Sequence, residues 1–221
     1  MSYKYVFKFI VVGEVGVGKT SFINQFITEE FQENYTATLG MDIASKIVEI
    51  NDTKVNLIIW DTAGSEAFRS LARSYYRAVS GMFLLFDITN EKSFENVKFW
   101  LEECRNNASN DPSVILIGNK ADLGKSRKIT KAEAQLFAEK NKLEYIEVSS
   151  KVYDQVLKAF LQMASRIYQK INDGKIDVFD NESGARLSEE YLKEGGDIKD
   201  SKKKIAKDFC GVIKKDDKKC C

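Results

Sequence analysis

The stretch that most constrains this chain is the octet Gly13–Thr20, which reads GEVGVGKT and fits the phosphate-loop pattern G-x-x-x-x-G-K-[ST]. It lies between a strand-like apolar run, Tyr5–Val12, and a run with helical spacing, Ser21–Ile27. In such a loop the glycines let backbone N–H groups surround a phosphate, Lys19 reaches the outer phosphates, and the Thr20 hydroxyl holds Mg²⁺. The octet therefore predicts a nucleotide phosphate site at a strand-to-helix junction.

Strand-like and helix-like segments alternate along the rest of the body. The strand-like segments are Tyr5–Val12, Met41–Ile50, Lys54–Trp60, Met82–Ile88, Val114–Gly118 and Leu143–Val148. The helix-like segments are Ser21–Ile27, Ala67–Val79, Glu91–Asn107, Lys131–Asn141 and Tyr153–Ile171. This order predicts a three-layer α/β fold with a six-stranded, mostly parallel sheet, one antiparallel edge strand and helices on both faces. Ligands of such sheets bind beyond the carboxyl ends of the strands, where Gly13, Asp61 and Asn119 fall.

Composition limits the other possibilities. The 221 residues suffice for one core, and from residue 173 onward the pattern gives way to polar residues, so we expect a domain at 1–172 and a flexible tail at 173–221. Histidine is absent, which excludes an imidazole base and a His-ligated metal. A net charge of +1, without a basic and aromatic stripe in the body, argues against nucleic acid as a partner. No run reaches the roughly 18 apolar residues of a membrane-spanning helix, so we expect any membrane binding to use an anchor.

The base is predicted by the tetrapeptide Asn119–Asp122, which directly follows the apolar strand Val114–Gly118. A carboxylate accepts hydrogen bonds from two adjacent N–H donors, and guanine presents such a pair whereas adenine does not. Asp122 suits this role, because against adenine its buried charge would stay unpaired. Together with Ser149-Ser150-Lys151 after the last strand, the tetrapeptide favours GTP or GDP. An ATP-using P-loop enzyme is the alternative that it argues against.

These motifs together resemble the Rab family of Ras-superfamily small GTPases over roughly residues 5–171. The stretches that carry the resemblance are Gly13–Thr20, Trp60–Gly64, Phe68–Leu71, Tyr75–Arg77, Asp87–Thr89, Asn119–Asp122 and the terminal Cys220-Cys221. The resemblance implies a monomeric P-loop GTPase that binds GTP or GDP with Mg²⁺ and acts as a switch in vesicle trafficking. It also implies effectors, a guanine-nucleotide exchange factor and a GTPase-activating protein as partners.

The resemblance further implies a role for each matching position. The catalytic positions would be Lys19, Thr38, Gly64 and Ser65. The Mg²⁺ positions would be Thr20, Thr38 and, through water, Asp61. The nucleotide contacts would be Val15, Gly16, Val17, Gly18, Lys19, Thr20, Ser21, Phe31, Tyr35, Thr38, Gly64, Asn119, Lys120, Asp122, Ser149, Ser150 and Lys151. Thr38 and the Gly64 N–H would sense the γ-phosphate, so that its loss releases both loops. Phe31 as a loop anchor and Thr38 as a turn residue remain simpler interpretations.

Three positions match the surface on which the family presents its nucleotide state to effectors: Ile43, Trp60 and Tyr75. Exposed aromatic side chains are frequent binding anchors. Ile43 stands where a phenylalanine is usual in the family, and a half-buried core role for Trp60 is the alternative.

Two positions depart from the family pattern next to the reacting phosphate. Ser65 occupies the place of the glutamine that orients the attacking water, and Val15 the place of the second loop glycine of Ras-like relatives. We expect slow intrinsic hydrolysis, which an activating protein could raise. A GTP-locked binding scaffold with negligible hydrolysis is the alternative.

The end of the chain is rich in lysine and closes with Cys220-Cys221. Lysine alone indicates only solubility, but a terminal Cys-Cys pair resembles the doubly geranylgeranylated end of Rab proteins. Two lipid chains hold a protein stably on a membrane. The resemblance therefore implies lipidation of both cysteines, a prenylation escort and a GDP-dissociation inhibitor as partners, and cycling between cytosol and the cytoplasmic face of an endomembrane. Cys104 fits a core position, and Cys210 fits an ordinary tail position, with a third modified thiol as the alternative.

Overall fold

A computed structural model describes residues 2–32, 41–62, 75–193 and 195. The strands are β1 Tyr5–Gly13, β2 Met41–Ile50, β3 Thr53–Thr62, β4 Gly81–Asp87, β5 Ser113–Asn119, β6 Glu144–Glu147 and β7 Ala185–Leu187. The helices are α1 Lys19–Thr28, α2 Glu91–Glu95, α3 Val97–Asn107, α4 Lys131–Asn141, α5 Tyr153–Asn172 and α6 Glu189–Lys193. A short 3₁₀ segment spans Ala121–Ser126. No helix within these described ranges is both long enough and apolar enough to cross a bilayer.

The sheet has the order β2-β3-β1-β4-β5-β6, with β7 paired to β1. All neighbours from β3 to β6 are parallel, whereas β2 runs antiparallel to β3 and lies at the edge. The predicted α/β fold, with a mostly parallel sheet and an antiparallel edge strand, is confirmed. Six strands were predicted, and all six are present; the sheet of the described residues also contains a seventh strand, β7, that was not predicted.

Alternation along β1 divides the core into two layers, because successive side chains of a strand point to opposite faces. Phe7, Phe9 and Val11 pack with α1 and α5, while Ile10 and Val12 pack on the other face with α3 and α4. Burial on both faces explains why the central strands are continuous apolar runs. All seven residues of β4 are buried.

The helices follow from local signals in the sequence. In α5 the buried residues include Val156, Phe160, Met163 and Ile167, which recur at helical spacing along one face. Thr130 and Glu133 form the predicted capping box at the start of α4. The predicted helix Glu91–Asn107 is divided at Asn96 into α2 and α3. Of the predicted helix Ala67–Val79, residues 67–74 lie outside the described ranges, and residues 75–78 form turns and bends.

The segment after α5, which we call the C-terminal arm (residues 173–193), differs from the predicted flexible tail. It returns along the domain, pairs β7 antiparallel with residues 5–7 of β1, and buries Val178, Ala185 and Leu187. The physical reason is an open edge: β4 pairs with β1 only from Phe9 onward, so the first part of β1 has unpaired backbone groups that β7 satisfies.

Candidate nucleotide-binding site

The phosphate loop closes around the Lys19 amine. β1 ends at Gly13 and α1 begins at Lys19, with Gly16 and Gly18 at φ +76° and +93°, values that favour glycine. Lys19 is 6% exposed, and its Nζ donates to the carbonyl oxygens of Gly13 at 2.9 Å and Glu14 at 3.0 Å. Burial lowers the pKa of Lys19 to about 8, against the opposing effect of nearby carboxylates. A buried ammonium that is held by neutral carbonyl groups is well suited to an anionic phosphate.

Thr20 and Asp61 bring together the oxygen ligands that Mg²⁺ prefers. The Thr20 Oγ1 donates to Asp61 Oδ2 at 2.5 Å, while the buried Asp61 Oδ1 has no hydrogen-bond partner among the described residues. Burial also raises the pKa of Asp61. An orphaned carboxylate oxygen beside a hydroxyl fits a bound cation. The part of the chain that the structure describes holds no group of three or more His, Cys, Asp or Glu side chains placed to bind a metal ion, so an ion here would complete its shell with phosphate oxygens and water.

Asn119 ties the phosphate loop to the base end of the site. It is 1% exposed; its Nδ2 donates to Val17 O at 2.8 Å, and its Oδ1 accepts from the N–H and hydroxyl of Ser150 at 3.2 and 2.9 Å. A Cβ at Gly18 would lie 2.6 Å from Asn119 Nδ2. Only glycine therefore allows this close approach.

The base end gathers residues from three loops at the carboxyl edge of the sheet. Asp122 Oδ1 accepts from Ser149 Oγ at 2.7 Å, and its Oδ2 lies 3.8 Å from Lys151 Nζ. The Lys151 Nζ is 5.3 Å from the centre of the Phe31 ring. The Asp122 side chain is 29% exposed, so its charge is not buried as predicted. Ser149 and Lys151 nevertheless orient its carboxylate, and a fixed orientation is needed to accept hydrogen bonds from two adjacent N–H donors.

Two supporting contacts were not predicted from the sequence. Lys120 Nζ donates to Gly16 O at 2.7 Å and forms an ion pair with the buried Asp87 at 2.8 Å. Glu14 Oε2 accepts from Asn96 Nδ2 at 2.5 Å, which joins the loop to the start of α3. Asp87 is the last residue of β4, and this position at the carboxyl edge of the sheet is the sequence signal that could have indicated its role in the site.

The remaining predicted residues differ in how exposed they are, and some of them lie outside the described ranges. Val17 is fully buried in the core, so only its backbone is available to a nucleotide, whereas Val15 is 56% exposed and Ser21 is partly buried. Ile43 is half-exposed and lies opposite Trp60 in the β2–β3 register. The Trp60 and Tyr75 rings are 5.6 Å apart. The predicted residues outside the described ranges are Tyr35, Thr38, Gly64, Ser65, Cys210, Cys220 and Cys221.

Trp60 fits both interpretations offered by the sequence. It packs against the second core layer, yet it lines a surface groove beside Ile43. Cys104 is buried in the core as predicted, and burial raises its thiol pKa to about 12.

The fold and the site together define a P-loop nucleotide-binding protein whose base pocket is built for guanine. The model of the Ras family matches residues 8–169. The chain belongs to the Ras family. It is accordingly a small GTPase that binds guanine nucleotide and Mg²⁺, hydrolyses GTP, and interacts with exchange factors, activating proteins and effectors as Ras-like GTPases do.

Proposed function

We propose that this Ras-family protein is a Rab-like switch that recruits effectors to a cytosol-facing endomembrane while GTP is bound and returns to the cytosol with GDP. The observation that carries the proposal is the patch formed by Ile43, Trp60 and Tyr75. Ile43 and Trp60 are cross-strand neighbours, and the Trp60 ring contacts that of Tyr75. The three positions that resemble the Rab effector surface are therefore one continuous feature.

The chain performs phosphoryl transfer by positioning and electrostatics, since it has no histidine to serve as a base. Lys19, whose ammonium is held at the loop carbonyl of Gly13, would bind the outer phosphates, and Asn119 fixes the loop to the base end of the site through Val17. Thr20 and, through water, Asp61 would hold Mg²⁺, which would neutralise charge on the phosphates. These residues orient the nucleotide but do not themselves orient the attacking water.

Slow hydrolysis is the specific part of the proposal. Ser65 is too short to replace the glutamine that orients water in relatives, and losing one such group costs about 1–3 kcal/mol of activation free energy. Val15 adds an exposed branched side chain to the loop. The membrane anchor rests on Cys220 and Cys221, with a prenylation escort and a GDP-dissociation inhibitor as the partners that it would require.

Single-turnover hydrolysis of bound GTP tests this function. Ser65→Gln should raise the rate about tenfold or more, while Ser126→Gln, a change on the exposed 3₁₀ segment, should leave it unaltered. An unchanged rate in Ser65→Gln would refute the water-positioning argument. The exposure of Val15 favours a second function, a GTP-held scaffold. An absence of GTP turnover with every activating protein tested would support it. Recovery of turnover in Val15→Gly would show that the Val15 side chain obstructs the approach of the activating protein.

A further inference from the structure

A groove of about 540 Å³ lies between the patch of Ile43, Trp60 and Tyr75, which we call the effector patch, and the C-terminal arm. One wall is apolar and consists of Ile43, Ile58 and Trp60 from β2 and β3. The opposite wall is the arm, which contributes Asp180 and Arg186. The arm therefore extends the effector patch into a concave site with a second, polar side.

The arm wall is built into the fold. Beyond the β7 ladder, the Lys8 N–H donates to Gly184 O at 2.9 Å, and Asn110 Nδ2 donates to Ser183 O at 2.7 Å. Glu182 accepts three hydrogen bonds from two nitrogens of the Arg77 guanidinium, with the shortest at 2.6 Å. That ion pair is well exposed and adds little stability, so the ladder and the burial of Leu187 hold the wall in place.

Two cations line the groove, Lys8 and Arg186, and they differ from the neighbouring Arg77 in having no carboxylate partner among the described residues. Arg77 is neutralised by Glu182, whereas no carboxylate in the described ranges lies within ion-pair distance of the other two. The Lys8 ammonium lies 4.1 Å from the centre of the Trp60 ring and donates to Arg77 O at 2.7 Å, which leaves donor capacity unused. Arg186 pairs with Val6, so it is a diagonal neighbour of Lys8 on the same face, at about 7–8 Å between Cα atoms.

We propose that this groove binds an acidic segment of an effector, with a large apolar side chain against Ile43, Ile58 and Trp60 and a carboxylate on Lys8. Arg186 takes a second carboxylate. The groove is concave and Lys8 is half-buried, so the flat surface of an anionic bilayer would not reach the ammonium. The inference rests on the proposed function in treating the occupant as an effector.

The test begins with selection of a random twelve-residue peptide library on the full chain loaded with a non-hydrolysable GTP analogue. Enriched peptides should combine Asp or Glu with Leu, Phe or Trp. Their affinities are then measured by fluorescence polarisation for the wild type, Lys8→Met, Arg186→Gln and Lys158→Met. Methionine keeps an unbranched stem against Trp60, and Lys158 is an exposed lysine on α5 outside the groove.

Lys8→Met should weaken binding about ten- to a hundredfold, because a charge-assisted hydrogen bond is lost, and Lys158→Met should change it less than twofold. Arg186→Gln gives the same information should Lys8→Met fail to fold. The inference is overturned by an absence of enrichment, by enriched peptides without acidic residues, by equal affinity for all variants, or by Lys8-dependent binding to phosphatidylserine vesicles instead of peptides. Binding of a fluorescent GDP, measured separately on each variant, shows whether the GTPase function itself has failed.

Discussion

Gly184→Ala is the sharpest test of whether the C-terminal arm is docked as described. Gly184 has φ +72°, and a Cβ there would lie 2.3 Å from Ser80 N and 2.5 Å from Val79 C. Neither side yields easily, because the Ser80 N–H donates to Lys8 O at 2.9 Å and the Gly184 carbonyl accepts from the Lys8 N–H. The added methyl group is therefore caught between two fixed stretches of backbone.

The expected cost has two parts. A non-glycine residue in the left-handed region costs about 1–2 kcal/mol, and a forced contact of this kind costs about 1–3 kcal/mol. A total of about 2–5 kcal/mol is comparable with what the burial of Leu187 and Val178 contributes. We therefore expect the arm to detach from the domain, while the sheet and the nucleotide site remain folded.

Hydrogen exchange and limited proteolysis measure this outcome. The Ser188 amide, which donates to Lys4 O, should lose most of its protection, and trypsin should cleave at Arg186. Gly124→Ala is the matched control, because a Cβ at Gly124 meets nothing within 4 Å. If Gly184→Ala kept wild-type protection at Ser188, the close packing of the arm on residues 78–80 would be refuted.

Four further predictions concern the site, the stability of the fold and the tail. Asn119→Ala should lower the free energy of unfolding by about 2–4 kcal/mol and speed GDP release, because it leaves buried polar groups of Val17 and Ser150 without their hydrogen-bond partner. Chemical denaturation and GDP-release assays measure both effects, with Asn107→Ala as the control. Equal behaviour of the two variants would contradict the prediction. GDP affinity should be constant below pH 8 and fall by up to tenfold per pH unit above it, because phosphate binds the protonated form of Lys19; a flat titration to pH 9 would exclude this linkage. The same lowered pKa means that the nucleotide-free fold binds fewer protons than the unfolded chain, so this lysine makes stability rise between about pH 8 and its ordinary pKa of 10.5. Substituting both Cys220 and Cys221 by Ser should move the protein from membrane to cytosol on fractionation, whereas Cys104→Ser should not, and unchanged membrane recovery would disprove the proposed anchor.

The parts predictable from the sequence are those that local signals specify. Apolar runs mark the strands, and each run ends in a polar motif, so the topology of a parallel sheet brings Lys19, Asp61 and Asn119 to one edge. The capping box at Thr130 was equally local. Such features need no knowledge of residues distant along the chain.

The parts that escaped prediction depend on distant partners. β7 has only three residues, and its pairing with β1 joins positions about 180 residues apart, so its short alternation of buried and exposed side chains carried too little signal. The break between α2 and α3 at Asn96 is accompanied by a contact with Glu14, 82 residues away. The exposure of Asp122 depends on how three loops meet, which the tetrapeptide alone does not determine.

The alternation of β3 explains how one strand carries both the Mg²⁺ position that we infer and the effector patch that we propose. Trp60 lies beside Ile43 on the face of the sheet that carries the second core layer, whereas the next residue, Asp61, is buried beside Thr20. Thr62 then donates to Val11 O at 2.8 Å and fixes the strand to the centre of the sheet. A displacement of Asp61 would therefore move Trp60 through a single peptide unit, because strand pairing and the Thr62 hydrogen bond restrain the backbone on both sides. Because the Lys8 ammonium lies on the Trp60 ring and the Lys8 backbone is bonded to the arm, that movement would also reach the groove that we assign to an acidic effector segment.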